Sequence, residues 1–366
     1  MKLSAQVKLL PTPEQHKSLE LTLQQTNAAS QYVSDYAWNT HTWRQYDLHK
    51  ALYYELKERF DLTAQVVVRL LAKVADAYKL DHKHKRTFKP IGAMAYDDRI
   101  LHWYVDKSEV SIWTASGRAR IPFVRGERQR ALLASRQGES DLILFRGNFY
   151  LSATCEVQEP DPIDIEGALG VDLGIVNIAV DSDGEVHSSS QVNNVRHRHR
   201  RLRAKLQRKG TKSSRRRLHK LAGKEARFAK WVNHGISKHL VAKAVDTKRA
   251  IAIEELGGIS QRVTVRKSRR ATLHSWSFAQ LRGFIEYKAK LRGIPVFTVD
   301  PRNTSRTCPA CGHIAKANRR NQSTFLCVVC GFSGLADHIA AGNIASRAAV
   351  NRPNVSTTLR VNESPV

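Results

Sequence analysis

The chain has 366 residues, enough for two or three domains at roughly 100 to 200 residues each, and 60 Lys and Arg against 33 Asp and Glu leave a formal charge of +27. That imbalance excludes an ordinary enzyme of small neutral substrates and predicts a polyanionic partner. No apolar run approaches the roughly 18 to 20 residues of a membrane span, and Met1-Lys-Leu-Ser-Ala-Gln6 lacks the apolar core of a secretory signal, so a cytoplasmic protein with no membrane partner is expected.

Lys2 to Leu10 alternates like a strand, and Thr12-Pro-Glu-Gln15 then forms a capping box with Pro13 at the first helical position. Three helical stripes follow: Leu19, Leu23, Ala29, Val33, Tyr36 and Ala37; Leu48, Leu52 and Leu56; Val67, Leu71, Val74 and Tyr78. From Phe88 onward the texture changes to short strands. Ile100–Val105, Glu109–Thr114, Arg120–Val124, Asp141–Phe145 and Phe149–Val157 read as a small barrel interrupted by the helices. Cys155 alternates with Leu151, Ala153 and Val157 and reads as a buried small apolar residue. Basic residues interleave with aromatics around Lys85, Arg86 and Phe88, which suits phosphate contacts and base stacking. Pro160-Asp-Pro162 marks a linker.

Gly167 to Val180 is an apolar, strand-like run that carries one carboxylate, Asp172. A lone charge in such a place is costly unless it is satisfied by backbone N–H groups or by a metal ion. Asp181-Ser-Asp-Gly184 supplies a hairpin turn and Glu185-Val-His187 the returning strand. A highly cationic pair of helices comes next. It includes Arg200, Arg201, Lys205 and Arg208 before the Gly210 break, then Arg215 and Arg216, with Leu202, Leu206, Leu218 and Leu221 as a thin apolar seam. Like charges at this density call for a counter-charge, which a nucleic-acid backbone supplies. Arg249 to Leu256 is another short strand and ends in Glu254 and Glu255; alternation puts the two on opposite faces and does not say which one meets Asp172. A basic loop, Arg262–Arg270, precedes a helix carrying Trp276, Phe278, Leu281, Phe284, Ile285 and Leu291, and Gly293–Val299 reads as one more strand, so this half has the alternation of an α/β fold.

Cys308-Pro-Ala-Cys311 and Cys327-Val-Val-Cys330, each followed by glycine, have the spacing of a structural Zn²⁺ site with four thiolates. His313 is surplus to such a site. Just beyond it, Asp337, Ala341 and Ile344 share one helical face, so small residues let that helix approach a sheet while Asp337 is offered from its first turn.

A strand bearing Asp that then folds back resembles the start of a ribonuclease-H-like nuclease. Together with a later strand-end Glu, an intervening basic insert and a four-Cys ribbon before a last Asp, it resembles the TnpB family of transposon-encoded RNA-guided nucleases. Gly170-Val-Asp-Leu-Gly-Ile-Val-Asn177, Ile251-Ala-Ile-Glu-Glu-Leu256 and Ala336-Asp-His-Ile-Ala-Ala-Gly-Asn-Ile344 match the family's three RuvC motifs, over roughly residues 165–348. Two positions depart from the family: Glu255 stands where Asp is usual and Ile339 where Asn is usual.

The resemblance implies a multi-domain α+β protein. A wedge-like β-barrel (1–12 and 81–160) would carry a helical recognition insertion (13–80). An RNase H-like (RuvC) α/β nuclease domain (161–303 and 332–350) would hold the basic insert (196–245) and the zinc ribbon (304–331), followed by a disordered tail (351–366). It implies Asp172, Glu254 and Asp337 as catalytic acids binding Mg²⁺ or Mn²⁺, and Arg306 as a phosphate contact near the cut. The implied partners are a guide RNA from the transposon end and target double-stranded DNA beside a short transposon-adjacent motif. A nuclease-inactive RNA-guided repressor and a compact type V CRISPR effector are the competing expectations.

Overall fold

A computed structural model describes residues 1–255 and 278–350, the side chains of 349 and 350 excepted. The Gly257-Gly258 pair, the basic loop Arg262–Arg270, Trp276 and the tail from 351 lie outside the described residues. Among the described residues no helix is long and apolar enough to cross a membrane. The chain divides into two units, Met1–Gln158 and Glu159–Val366.

In the first unit, β1 (Lys2–Leu9) turns Ala5, Val7 and Leu9 inward and its lysines outward, as its alternation dictates. The capping box at Thr12 then starts α1 (Pro13–Thr40), with the Gln15 amide N–H donating to Thr12 Oγ1 at 3.3 Å and the Thr12 N–H to Gln15 Oε1 at 3.0 Å. Helices α2 (Gln45–Phe60) and α3 (Ala64–Leu80) follow, and the three apolar stripes are buried apart from the half-buried Tyr36. The chain returns through β2 (Met94–Tyr96), β3 (Leu101–Tyr104), β4 (Glu109–Thr114), β5 (Gly117–Val124), a short helix α4 (Glu127–Leu133), β6 (Arg136–Phe145) and β7 (Asn148–Glu156).

The strands form one sheet in the order β2-β6-β7-β1-β5-β4-β3. It curls until its edges face each other: Trp103 Nε1 of β3 donates to Ser140 Oγ of β6 at 3.3 Å, and the Tyr96 hydroxyl of β2 to the Trp113 carbonyl of β4 at 3.2 Å. The expected barrel is therefore present. A single apolar cluster joins Val7, Leu19, Leu48, Leu71 and Phe149, so helices and barrel share one core. Cys155 is buried in it. Strand β2 and helix α4 have no counterpart in the sequence reading; three residues are too few to show alternation, and α4 buries only Leu133.

In the second unit, β8 (Gly167–Asp172), β9 (Asn177–Asp181) and β10 (Val186–Ser188) form an antiparallel meander, after which β11 (Arg249–Glu254) lies parallel to β8 and β12 (Val296–Val299) parallel to β11. The order β10-β9-β8-β11-β12 is ribonuclease-H-like. Here the sequence reading needs correction, because Gly167–Val180 is two strands rather than one. The chain reverses at Leu173–Val176, where a Cβ on Gly174 would lie 2.8 Å from the Asn177 carbonyl oxygen, so only glycine closes the turn without strain.

Helices α5 (Ser190–Lys209), α6 (Lys212–Leu221) and α7 (Lys224–Asp246) connect β10 to β11, and α8 (Phe278–Lys290) precedes β12. Leu240, Val241 and Ala244 of α7 and Leu281 and Ile285 of α8 cover one sheet face with Leu169, Val171, Ile251 and Ile253. On the other face, α9 (Ala336–Val350) packs Ile344 and Ala348 against Ala252 and Ala168. Between β12 and α9 lies the ribbon, whose β13 (Thr324–Leu326) and β14 (Ser333–Leu335) pair antiparallel. Ile339 of α9 joins Cys308, Phe325, Cys327 and Ala336 in the ribbon's small core. Ile339, one of the two residues that depart from the family pattern, thus has an apolar packing role.

Candidate active site and metal centre

Asp172 ends β8 and Glu254 ends β11. The parallel register pairs Val171 with Ile253, so the next residues stand abreast at the carboxyl ends of neighbouring strands, about 4.8 Å apart in the hydrogen-bonding direction. That end of an α/β sheet is where ligand sites form. Glu254 follows Ala252 onto the face covered by α9, whereas Glu255 accepts from Arg282 Nη1 of α8 at 2.7 Å. The choice that alternation left open is thereby made by which helix covers which face.

Gly170 brings in the third acid. A Cβ there would lie 2.0 Å from the Ala341 carbonyl oxygen and 2.6 Å from the Ala345 amide nitrogen, so the backbone of α9 rests directly on β8. Gly170 to Asp172 is two strand residues, about 6.6 Å; Ala341 back to Asp337 is four helical residues, about 6 Å. The steps match, and Asp337 arrives over Asp172. Burial first, and then the Glu254 and Asp337 carboxylates, push Asp172 up to about 7.

Each flanking acid has its own support. Thr304 Oγ1 donates to Glu254 Oε1 at 2.5 Å, partly offsetting the burial that raises Glu254. Asn177 Nδ2 donates to Asp337 Oδ2 at 3.0 Å and Arg319 Nη2 to Oδ1 at 3.5 Å. Asn343 Nδ2 donates to the carbonyls of Thr304 at 2.7 Å and Thr307 at 2.9 Å, tying α9 to the loop that holds Thr304. Sequence reasoning gave none of these four a role. Asn177 and Asn343 lie inside the matched motifs and Thr304 just before the ribbon, but nothing along the chain marks Arg319.

A stability test follows from Asp172. Its folded pKa of about 7 exceeds its ordinary 3.8, so the folded state holds the extra proton between those values. Stability contributed by that proton is lost as pH rises through this window, and the penalty is complete above it. In magnesium-free buffer at pH 8, Asp172→Asn should raise the melting temperature by a few degrees, for a gain on the order of 1–3 kcal/mol. The gain should vanish near pH 4.

The Sγ atoms of Cys308, Cys311, Cys327 and Cys330 all lie within 4.8 Å of one another, with Cys308 to Cys330 and Cys311 to Cys327 each at 3.6 Å. Gly312 and Gly331, both at φ +74°, turn the two knuckles. Backbone N–H groups of Cys330 and Val329 hold the Cys327 thiol down while hydrogen bonds among the cysteine sulfurs push the Cys311 thiol up, so the four thiols titrate as one group. Four sulfurs so placed fit one tetrahedral ion. His313 serves through its carbonyl, which accepts from the Cys308 N–H at 3.0 Å and Asn318 Nδ2 at 3.1 Å. Cys308→Ser should remove one bound metal per chain, measured by elemental analysis, and speed proteolysis across 308–335 by about tenfold or more as the ribbon loosens.

Arg200, Arg201, Lys205 and Arg208 of α5 and Arg215 and Arg216 of α6 are exposed. Arg201, Lys205, Arg208 and Lys209 line one shallow groove. Among the described residues no carboxylate pairs with these six candidates, whereas Arg196 and Arg203 share Glu225 at 3.6 and 2.9 Å. Arg306 is exposed beside the ribbon. Lys85 and Arg86 differ, being paired to Asp35 at 3.0 Å and Asp81 at 3.2 Å, which leaves them less charge for a polyanion.

Comparison with known proteins bears on the family and the fold. A family model described as "Probable transposase" matches residues 152–257, and one described as "Cas12f1-like, TNB domain" matches 278–344. CRISPR-associated endodeoxyribonuclease Cas12f1 of Sulfoacidibacillus thermotolerans is 35% identical over 129 residues, 35% of this chain and 29% of that protein's length. The solved structure of the mini-RNA-guided endonuclease CRISPR-Cas phi3 superposes with a TM-score of 0.56 at 10% identity, over 96% of this chain and 93% of that one, a likeness of fold. TnpB-like protein MJ0751 of Methanocaldococcus jannaschii is 30% identical over 197 residues, 50% of this chain and 70% of that protein. By that coverage, and with the barrel, the ribonuclease-H-like sheet and the four-Cys ribbon in place, the chain belongs to the TnpB-like family.

Proposed function

We propose that the protein is a transposon-associated RNA-guided DNA endonuclease that cleaves target DNA beside a short adjacent motif. The observation that carries this reading is the β8–β11 register, which sets Asp172 beside Glu254, with Asp337 delivered above them by α9. In the proposal these three acids hold two Mg²⁺ or Mn²⁺ ions. Bound there, such ions would supply an activated water and charge stabilisation for the leaving 3′ oxygen of a phosphodiester.

The chain's own groups then have distinct tasks. Asp172 gives up its proton to become a ligand, which its position near neutrality permits at little cost. Thr304, Asn177 and Arg319 fix the orientation of the flanking carboxylates. No side-chain nucleophile is needed. The unpaired cations of α5 and α6 neutralise a nucleic-acid backbone, while guide pairing supplies sequence choice and the protein reads the heteroduplex by its shape. Zinc is proposed for the ribbon, because Zn–S bonds of about 2.3 Å in a tetrahedron put sulfurs about 3.8 Å apart, near the 3.6 Å found.

The test begins with the RNA that copurifies with the full-length protein. Sequencing should return a transposon-end transcript; a CRISPR repeat would point to the type V effector reading. The complex is then given DNA matching the guide beside a randomised flank. Divalent-metal-dependent cleavage of the matched DNA is expected, whereas target protection without cleavage would select the repressor reading.

A further inference from the structure

A second cluster of ligating side chains lies on the other face of the same sheet. Glu185 from the β9–β10 turn, His187 from β10 and His239 from α7 bring their ligand atoms within 4.8 Å of one another. His187 lies opposite Ala179, which belongs to the core under α7, so the cluster faces away from the three acids. Glu185 and His187 are two residues apart on an extended chain and point the same way. His239 Nε2 lies 2.8 Å from Glu185 Oε1 and His187 Nε2 3.9 Å from it, with the imidazole rings 5.5 Å apart at 76°.

Two further observations indicate that this group is built for an ion. His187 Nε2 is buried with no hydrogen-bond partner, an arrangement that costs free energy unless something is bound there. The local charge is also poised for a cation. Three carboxylates, Asp181, Asp183 and Glu185, face two cations, Lys243 and Arg249, leaving one negative charge beside two imidazoles. Lys243 is 3.5 Å from Glu185 but is held more closely by Asp181 at 2.5 Å and Asp183 at 3.1 Å, and Arg249 is engaged with Asp183 at 2.6 Å.

We infer that Glu185, His187 and His239 form a second metal site, distinct from the ribbon and from the three acids, for a Zn²⁺-class ion. Two imidazoles and a carboxylate are the donors that borderline divalent ions such as Zn²⁺, Ni²⁺ and Co²⁺ prefer, with a position left open to solvent. Its place in the fold gives it a use. Strand β10 ends at Ser188 and α7 begins at Lys224, so the basic hairpin of α5 and α6 is rooted in these two elements. An ion bridging them ties β10 to α7, the two elements from which the hairpin springs.

The experiment measures zinc per chain in the full-length protein carrying Asp172→Asn, which reduces capture by the acid cluster. Two zinc ions are expected, falling to one in His239→Ala and in Glu185→Gln, with far-UV circular dichroism unchanged because both side chains are substantially exposed. Cys308→Ser should also fall to one, and Co²⁺ bound to that variant should show an absorption spectrum without thiolate charge transfer. One zinc in the parent that His239→Ala leaves unchanged, or two that survive both substitutions, would overturn the site. A parent that loses zinc with His239→Ala but not with Cys308→Ser would leave this site standing and remove the ribbon reading instead.

Discussion

If the proposed function holds, alanine at Asp172, Glu254 or Asp337 is expected to lower DNA cleavage by about 10³-fold or more, since each acid would carry several kcal/mol of the metal-dependent stabilisation. Target binding should stay within a few-fold, because in the proposed function affinity comes from the cationic surface and the guide. The control is Glu255→Gln. Glu255 points to Arg282 on the α8 face, so this change should leave the cleavage rate within a few-fold. Equal losses at Glu254 and Glu255 would mean that the face assignment of β11 does not govern the chemistry. The measurement is a single-turnover rate on guide-matched DNA with saturating Mg²⁺.

Gly170→Ala should be nearly as damaging, although it changes no ligand. The new methyl group would meet backbone, 2.0 Å from the Ala341 carbonyl and 2.6 Å from the Ala345 amide. A flexible side chain could swing aside, but here α9 must move by about 1 Å or more. Overpacking of this kind costs about 3 kcal/mol or more. It also displaces Asp337, and a 1 Å misplacement costs about 10²-fold in rate. Thermal melts and the single-turnover rate should therefore fall together. Gly235→Ala in α7 provides the contrast, because a Cβ there meets nothing within 4 Å; it should be neutral or stabilise slightly through helix propensity.

Features fixed by local pattern were readable from the sequence. Leu48, Leu52 and Leu56 recur at helical spacing and are buried together in α2; Thr12 and Gln15 cap α1 because their types and spacing suffice; the four cysteines meet because each knuckle is a local turn. Features that depend on distant chain were hidden. The reversal at Gly174 is invisible because apolar residues continue on both sides of it, so a two-strand hairpin looks like one strand. Alternation separates Glu254 from Glu255 but does not name the helix that covers each face, and that helix begins at Ala336. Arg319 reaches Asp337 from within the ribbon, a contact that exists only once α9 is seated on β8.

The most direct test of the three-acid site is to locate Mn²⁺ by anomalous scattering in crystals of the zinc-loaded protein bound to guide RNA and target DNA. The expected result is density for two ions about 3.5 to 4 Å apart, ligated by Asp172, Glu254 and Asp337. Ions held elsewhere in a complex that cleaves its DNA, with these carboxylates unligated, would contradict it.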